Sequence, residues 1–314
     1  MTTPPLLRLG TRGSDLALAQ ANEVRRRLGA AHEALRAPDA VEILVIKTTG
    51  DRVQDRPLSE IGGKGLFTKE IEEALLDGRI DAAVHSMKDL PTWLPDGLEI
   101  GAILPREDAR DAFFSDKGGD LAALPAGALL GTASLRRQAQ VLALRPDLVV
   151  KPLRGNVPTR LRRLAEGQVD ATILALAGMK RLGMEQHITS IIPIEVMLPA
   201  VAQGAIGLEL RRGDDKTRAW LAPIDDRASQ RRVTAERACL EVLDGSCRTP
   251  IAAYAELAGE TLTLRGLVAL PDGSRLHRAE FSGPAADAAL LGRAVGNALR
   301  AAAGAAFFAA LETL

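Results

Sequence analysis

The feature that most constrains the fold of this chain is the alternation of strand-like and helix-like segments along it. Apolar runs rich in branched residues, at 6–10 and 41–48, are separated by an amphipathic stretch at 14–28 with helical periodicity. Strands that alternate with helices are typical of a largely parallel sheet whose two faces the helices cover. The first part of the chain is therefore predicted to form an α/β lobe.

The same alternation begins again after Pro105. It predicts helices that begin at Ser134 and Pro158, and strands at 128–131, 148–152 and 171–175. We interpret this part as a second α/β lobe. One more strand is predicted at 204–210, and Pro199 before it indicates a crossing point of the chain. Two lobes joined in this way predict a hinged central cleft.

Beyond Pro223 the pattern changes to a smaller α+β arrangement. A long helix is predicted at 227–243. Strands are predicted next, at 251–257, 261–270 and 276–281, and helices follow to the end of the chain. Strands grouped together and helices grouped apart from them are typical of the α+β class. The predicted domains are 1–104 with 200–222, then 105–199, and finally 223–314.

The composition excludes several classes of function. Lys and Arg number 40, as do Asp and Glu, so bulk charge cannot hold a nucleic acid or an anionic membrane. Two cysteines and four scattered histidines give neither a disulfide framework nor a metal site, which fits a reducing compartment. Residues 1–7 lack a secretory-signal pattern, and the apolar tail at 301–311 is shorter than the roughly 20 residues of a membrane span. We predict a cytoplasmic monomer whose tail is a buried helix.

Several arginines fall at turns where a predicted strand is followed by a helix. In a parallel sheet these turns lie at the carboxyl edge of the strands, where ligands collect and helix N-termini offer unpaired N–H groups. A guanidinium adds bidentate binding of a carboxylate. The pattern predicts a ligand with several carboxylates, and solvated surface arginines are the alternative interpretation. These turns carry Arg12 with Ser14, Ser134 with Arg136 and Arg137, and Arg154 with Gly155 and Asn156 ahead of Arg160.

A second candidate site is the segment from His85 to Asp89, which directly follows a predicted buried strand at 81–84. Groups that donate or accept protons at the carboxyl end of a strand are typical of an active site. Two other interpretations stay open: Asp89 could cap a helix, and His85 could be a core histidine with satisfied hydrogen bonds.

Two further loops carry reactive side chains. Cys247 lies in a loop of small residues at 245–250, beside Arg248, and an accessible thiol next to a cation is typical of a nucleophilic cysteine. A plain structural thiol is the alternative. Cys239 falls on the apolar side of the long helix and is predicted to pack in the core. The glycine-rich run at 61–65, which contains Lys64, is predicted to be a mobile loop.

In their order along the chain, these segments resemble the porphobilinogen deaminase family, also called hydroxymethylbilane synthases. The resemblance extends from about Leu6 to beyond Pro250, and an ordered set of this size is highly specific. The matching stretches are TRGS (11–14), LAL (16–18), GGKGLF (62–67), VHSMKDL (84–90), GTASLRRQ (131–138), LRGNV (153–157), KRLG (180–183), LPAV (198–201), QG (203–204), ERA (236–238) and the cysteine loop.

This resemblance implies two lobes like those of periplasmic binding proteins, a third domain, and a deaminating transferase. The implied reaction condenses four porphobilinogen molecules into the linear tetrapyrrole hydroxymethylbilane. The resemblance also implies a dipyrromethane cofactor joined by a thioether to Cys247. Asp89 falls on the family's catalytic aspartate, which stabilises the cationic azafulvene formed as ammonia leaves. Each cycle adds one ring to the cofactor, and water finally releases the product.

Further site residues are carried over from the resemblance position by position. Ser246 stands where the family usually has glycine, and Ala133 where many members have serine or threonine. The implied substrate contacts, mainly to acetate and propionate groups, come from Arg12, Ser14, Gln20, Lys64, His85, Ser86, Arg154, Arg160, Arg181 and Gln203. The implied cofactor contacts come from Lys88, Ser134, Arg136, Arg137, Arg154, Gly155 and Asn156.

Two other classes of function would use the same arginines. One is a non-catalytic, two-lobed receptor for a small polycarboxylate, which needs neither the cysteine loop nor a third domain. Most such receptors are exported, and the lack of a signal pattern disfavours this class. The other is a transferase for a different small polyanion, which has no evident use for the cysteine loop.

Overall fold

The computed structural model describes residues 4–52, 68–243 and 249–312. The chain forms two compact units. Unit 1 combines the chain up to Glu107 with Ala205–Gln230, and unit 2 combines Asp108–Gly204 with the chain from Arg231 onward. The further division of unit 2 into two domains stays a prediction.

Strands and helices are numbered here in chain order. The strands are β1 (Leu7–Thr11), β2 (Val41–Val45), β3 (Ala82–Ser86), β4 (Leu98–Ile103), β5 (Asp111–Ser115), β6 (Leu129–Gly131), β7 (Val149–Lys151), β8 (Ala171–Ala175), β9 (Ser190–Ile192), β10 (Ile206–Arg211), β11 (Ile251–Ala258), β12 (Thr261–Ala269) and β13 (Leu276–Pro284). The helices are α1 (Asp15–Ala31), α2 (Thr49–Arg52), α3 (Lys69–Leu76), α4 (Leu135–Leu144), α5 (Val157–Ala165), α6 (Leu176–Leu182), α7 (Asp215–Leu221), α8 (Arg227–Val242), α9 (Ala288–Ala303) and α10 (Ala305–Glu312).

Unit 1 is built on a five-stranded sheet of order β2-β1-β3-β10-β4. β1 is parallel to β2 and β3, whereas β10 is antiparallel to β3 and β4. Leu7 and Leu9 of β1 pack with Val24 and Leu28 of α1 in one buried cluster, because the apolar side chains of a strand alternate onto one face. The carboxyl ends of β1 and β3 therefore share one sheet edge with the N-terminus of α1.

Unit 2 contains a second five-stranded sheet, of order β7-β6-β8-β5-β9. β6 is parallel to β7 and β8, and β5 is antiparallel to β8 and β9. Phe113 of β5, Leu130 of β6 and Val141 of α4 form part of its buried core. Because Asp111 pairs with Ala175, the start of β5 lies at the same sheet edge as the end of β8.

The rest of unit 2 is an antiparallel sheet of order β11-β12-β13 with helices beside it. α9 packs on β12 and β13. Gly292 and Gly296 of α9 lie against the backbone of Ala235 and Cys239 in α8, where a Cβ atom would clash. The two helices approach closely because these glycines have no side chain.

The predicted fold class is confirmed: α/β sheets with a smaller α+β part. The helices predicted at 14–28 and 227–243 are α1 and α8, and the strand predicted at 204–210 is β10. The two five-stranded sheets are mixed rather than parallel, since β5 is antiparallel to β8 and β9, and β10 is antiparallel to β3 and β4. The short strands β4, β5 and β9 were not predicted, and the glycine loop at 61–65 lies outside the described residues.

The apolar tail at 301–311 is predicted to be one buried helix, but the structure divides it between two helices. Gly304, at φ 77°, ends α9 and separates it from α10. Phe307 is buried, but Ala305 and Ala306 are exposed, so only one side of α10 packs on the unit. Among the described helices none is by itself long and apolar enough to cross a membrane, although the pair 285–303 and 305–311, bent by 92°, together has the length and composition.

Candidate active site

The first group of predicted site residues lies where β1 leads into α1. Ser14 caps α1, because its Oγ accepts a hydrogen bond from the Ala17 N–H at 3.3 Å. The Thr11 hydroxyl donates to the Ala17 carbonyl at 3.3 Å and ties the end of β1 to the same turn. Arg12, between these two residues, is partly exposed. The predicted strand-to-helix turn is confirmed here.

The second group lies at the end of β3, on the same edge of unit 1. Gln20 of α1 is buried and donates through Nε2 to Ser86 Oγ at 2.7 Å. The 3₁₀ turn Met87–Asp89 follows, and the Met87 N–H donates to the Ala205 carbonyl at 3.0 Å. Met87 is buried beneath this turn, whereas Asp89 is exposed and has no hydrogen-bond partner in the described part of the chain.

His85 lies in the core instead of at the surface of this site. Its Nε2 is 2.9 Å from Oε2 of Glu209 on β10, and both side chains are buried. Glu72 of α3 is a third buried member; its burial raises the pKa, and the charge of Glu209 adds to that effect. The structure therefore favours the interpretation of His85 as a satisfied core histidine, and a direct substrate contact stays a prediction.

In unit 2, Arg136 and Arg137 point inward to one buried carboxylate. Arg136 Nη2 is 2.8 Å from Asp111 Oδ2, and Arg137 Nη2 is 2.7 Å from Asp111 Oδ1. Their Nη1 atoms donate to the carbonyls of Leu198 and Ile173, at 2.7 and 2.9 Å. Ser134 caps α4 by accepting from the Arg137 N–H at 3.4 Å. The surface-arginine alternative is therefore wrong for this pair.

The charges of this cluster do not cancel. Burial by itself would raise the pKa of Asp111, but the two guanidiniums outweigh burial and hold that pKa well below its usual range. Burial also lowers the pKa of Arg136, which Asp111 opposes. One carboxylate faces two guanidiniums, and the buried Nε atoms of Arg136 and Arg137 have no hydrogen-bond partner among the described residues. The cluster therefore carries a net positive charge, which favours an anionic group near it.

Gln203 and Arg181 fix the chain next to this cluster. Gln203 is almost fully buried, and its Nε2 donates to Asp111 Oδ1 at 3.0 Å and to the Ala109 carbonyl at 2.7 Å. Arg181 of α6 donates to the Gly204 carbonyl at 2.9 Å. Both residues were predicted to contact substrate; in this structure they hold backbone and Asp111, and the substrate contact stays a prediction.

The remaining predicted residues of unit 2 form the turn between β7 and α5. Asn156 caps α5 by accepting from the Thr159 N–H at 3.0 Å. Gly155 has φ 110°, a conformation that favours glycine, and a Cβ there would lie 2.8 Å from Thr159 Cγ2. Arg160 Nε donates to the Gly155 carbonyl at 2.8 Å. Arg154 is partly exposed in the same turn.

The two cysteines differ sharply. Cys239 is fully buried in α8, and burial, followed by the charge of Glu236, raises its pKa to about 12. Such a thiol cannot form a nucleophilic thiolate at neutral pH. The core prediction for Cys239 is confirmed. Cys247 and Lys64, as well as the departure at Ser246, lie outside the described residues.

Two family models match the chain. One is described as "Porphobilinogen deaminase, dipyromethane cofactor binding domain" and matches residues 7–219. The other is described as "Porphobilinogen deaminase, C-terminal domain" and matches residues 230–301. The chain belongs to the porphobilinogen deaminase family. The resemblance in the sequence motifs is thereby confirmed, and the receptor alternative is not supported.

Individual relatives agree with this assignment. A porphobilinogen deaminase of Nitrobacter hamburgensis is 55% identical over 98% of this chain and 96% of its own length. One of Paracoccus denitrificans is 58% identical over 96% of each chain. Among solved structures, a putative methionine-binding lipoprotein of Bacillus subtilis has a TM-score of 0.41 and 12% identity over 69% of this chain and 89% of that one.

Dipyrromethane is the cofactor of the matched domain, and the residues of this chain fit such a group. Its pyrroles carry carboxylates, and the Asp111 cluster keeps one positive charge and two unpartnered buried donors. With Cys239 buried, Cys247 is the cysteine left for a covalent attachment. The charge of this cluster therefore fits an acidic group, and its covalent attachment to Cys247 stays a prediction.

Four buried acids were missed by the sequence reasoning: Glu72, Asp111, Glu209 and Glu236. Asp111 and Glu209 belong to otherwise apolar runs, DAFF at 111–114 and IGLEL at 206–210, whereas Glu72 and Glu236 have other charged residues beside them. An acid among buried apolar residues needs a partner, since burying an unpaired charge is costly. That isolated charge was the available signal.

Proposed function

We propose that this chain joins four porphobilinogen molecules head to tail, with loss of ammonia, and releases hydroxymethylbilane. The observation that carries this proposal is the exposed Asp89 at the carboxyl end of β3, in a chain that matches the dipyrromethane-binding domain of the family. We further propose that it acts as a cytoplasmic monomer, without nucleic-acid or membrane partners. The free thiol of Cys239 is consistent with a reducing compartment.

Asp89 is proposed as the catalytic residue. When the C–N bond of the protonated aminomethyl group breaks, the electron pair leaves with ammonia and the pyrrole becomes a cationic azafulvene. A free pyrrole α-carbon then attacks the exocyclic carbon, a C–C bond forms, and the α-carbon loses its proton. A fixed carboxylate stabilises the positive charge and accepts hydrogen bonds from pyrrole N–H groups. Asp89 has no competing partner in the described structure that would neutralise it.

The proposed roles of the remaining residues follow their positions. In unit 1, Arg12, Ser14, Gln20, Ser86 and His85 surround or support the edge that carries Asp89, and Lys88 precedes it. In unit 2, Arg136 and Arg137 supply charge for carboxylates, while Ser134, Gly155 and Asn156 shape the two helix N-termini. Arg154, Arg160 and Arg181 are proposed to hold acetate and propionate groups, and Gln203 and Lys64 are proposed as further substrate-binding residues.

The cofactor has one chemical contribution: when bound, dipyrromethane supplies the free α-carbon to which the first substrate unit is joined. We propose that Arg136, Arg137 and Arg154 would hold its carboxylates and that Cys247 would hold it covalently. Asp111 orients the two guanidiniums before any ligand arrives. Their side chains therefore lose little conformational freedom when a ligand binds.

Intact-protein mass spectrometry with peptide mapping tests the proposal. We expect an added mass of two linked pyrroles on the peptide that contains Cys247. Cys247→Ser should remove this mass, and the matched control Cys239→Ser should keep it, because Cys239 is buried and its thiol pKa is about 12.

The same samples are then incubated with porphobilinogen and weighed again. A protein that gains no pyrrole mass before or after incubation, and releases no ammonia, would contradict the proposal. Attachment at Cys239 would contradict the assignment of Cys247 while leaving the activity intact.

A further inference from the structure

Glu236 is a fully buried acid of α8 that the proposed chemistry does not use. Its two carboxylate oxygens accept hydrogen bonds from two backbone N–H groups of unit 2. Oε2 accepts from Ala202 at 2.6 Å, and Oε1 accepts from Ala255 of β11 at 2.8 Å. One side chain thus joins the stretch before β10 to the antiparallel sheet.

The stretch that Glu236 holds has an unusual backbone. Ala202 has φ 56° and is the one non-glycine residue with positive φ in the described ranges. A residue with a Cβ adopts this conformation at an energetic cost, so contacts around it must hold it there. The bond from the Ala202 N–H to Glu236 is such a contact.

The segment Leu198–Gly204, called here the crossing segment, has further contacts with the cluster around Asp111. The Leu198 carbonyl accepts from Arg136 Nη1 at 2.7 Å and from Gln140 Nε2 at 3.0 Å. Gln203, next to Ala202, donates to Asp111 at 3.0 Å. The path from Glu236 through Ala202 and Gln203 to Asp111 therefore consists of direct bonds.

We propose that Glu236 is a positioning residue for the two cofactor-binding arginines. By fixing the backbone at Ala202, it holds Gln203 against Asp111, and Asp111 in turn determines where the guanidiniums of Arg136 and Arg137 lie. This inference rests on the proposed function, because it assigns those arginines to carboxylate binding.

A carboxylate suits this position because both of its oxygens accept. An amide has one acceptor oxygen, and its NH₂ group would face an N–H donor. Glu236→Gln therefore keeps the size of the side chain while breaking one of the two bonds and setting two donors against each other. The crossing segment is expected to shift as a result.

The test compares Glu236→Gln with two control variants. Glu241→Gln removes an exposed charge from the same helix. Leu262→Ala weakens the core of unit 2 at a residue that pairs with Leu257 and Gly283, away from the crossing segment. For each purified variant we would measure the fraction of protein that carries the two-pyrrole mass, the thermal midpoint, and kcat and KM for porphobilinogen.

We expect Glu236→Gln to reduce the cofactor-bearing fraction, and to raise KM of the loaded enzyme, by about tenfold, since loss of a partner that orients binding groups costs roughly 10- to 100-fold at metal sites. Leu262→Ala should lower the thermal midpoint while leaving both readouts near wild type. Equal losses in Glu236→Gln and Leu262→Ala, or wild-type values in Glu236→Gln, would overturn the inference. A wild-type protein without pyrrole mass or turnover would instead overturn the proposed function.

Discussion

At the scale of single residues, some side chains of the described site are hydrogen-bonded within the protein, and others are exposed and can contact a ligand. His85 is bound to Glu209, and Gln203 is bound to Asp111. Asp89 is exposed at the end of a short turn. Chemistry at this edge of unit 1 is therefore expected to depend on Asp89 more than on the histidine that precedes it by four positions.

Asp89→Asn tests this ranking. The carboxylate is exposed and makes no hydrogen bond or ion pair with the described residues, so the free energy of unfolding should change by less than about 0.5 kcal/mol. Turnover of porphobilinogen should fall by about a hundredfold or more, because the amide cannot stabilise the cation. Urea unfolding and single-turnover kinetics would measure the two effects. Near-normal turnover in the variant would refute the role of Asp89.

At the scale of secondary-structure elements, the first turns of α4 and α5 carry most of the described site of unit 2. Both helices begin with a capping side chain, Ser134 and Asn156, directly after a strand. The cap residues and the arginines near them could be read from the sequence, because caps act locally. The inward direction of Arg136 and Arg137 could not, since it depends on Asp111 from a strand that is distant in sequence.

Asp111→Asn should destabilise the protein strongly. Two buried guanidiniums would lose their charge partner, which costs about 3–5 kcal/mol. Because the folded pKa of Asp111 is lowered, its contribution to stability is complete above its unfolded value near 3.8 and is lost as the pH falls below that value. Urea unfolding should show a constant difference from wild type above about pH 5 and a shrinking one below about pH 4.

Asp147→Asn is a matched control for that experiment. Asp147 also pairs with an arginine, Arg145, but at an exposed position where water screens the charges. Its replacement should change stability little at either pH. Equal effects of the two substitutions would show that burial of the Asp111 pair has no energetic consequence.

Gly155→Ala tests the turn before α5. Gly155 and Gly167 both have positive φ, at 110° and 70°, so alanine should cost about 1–2 kcal/mol at either position. Only at position 155 would the new Cβ meet a neighbour, at Thr159. We therefore expect both variants to lose stability in thermal unfolding, and only Gly155→Ala to raise KM. A normal KM in Gly155→Ala would exclude this turn from substrate binding.

At the scale of the whole molecule, the sequence predicted the α/β class, the smaller α+β part and the long helices. These depend on periodicity, which is local. It did not predict β4, β5 and β9, each of which pairs with a strand that is distant in sequence. Nor did it predict the burial of Asp111, Glu209 and Glu236, whose partners are separated from them by at least 19 residues of chain. Long-range pairing is what the sequence pattern lacked.

The buried pair of arginines also determines how the protein should respond to salt. The chain has 40 basic and 40 acidic residues. The whole molecule therefore has no net charge whose electric field dissolved ions could weaken. They screen partly exposed arginines such as Arg160 within a Debye length of about 8 Å at physiological ionic strength, and buried charges much less. The surplus charge beside Asp111 is shielded from them by the protein itself. Carboxylate binding that survives in concentrated salt would therefore come from Arg136 and Arg137.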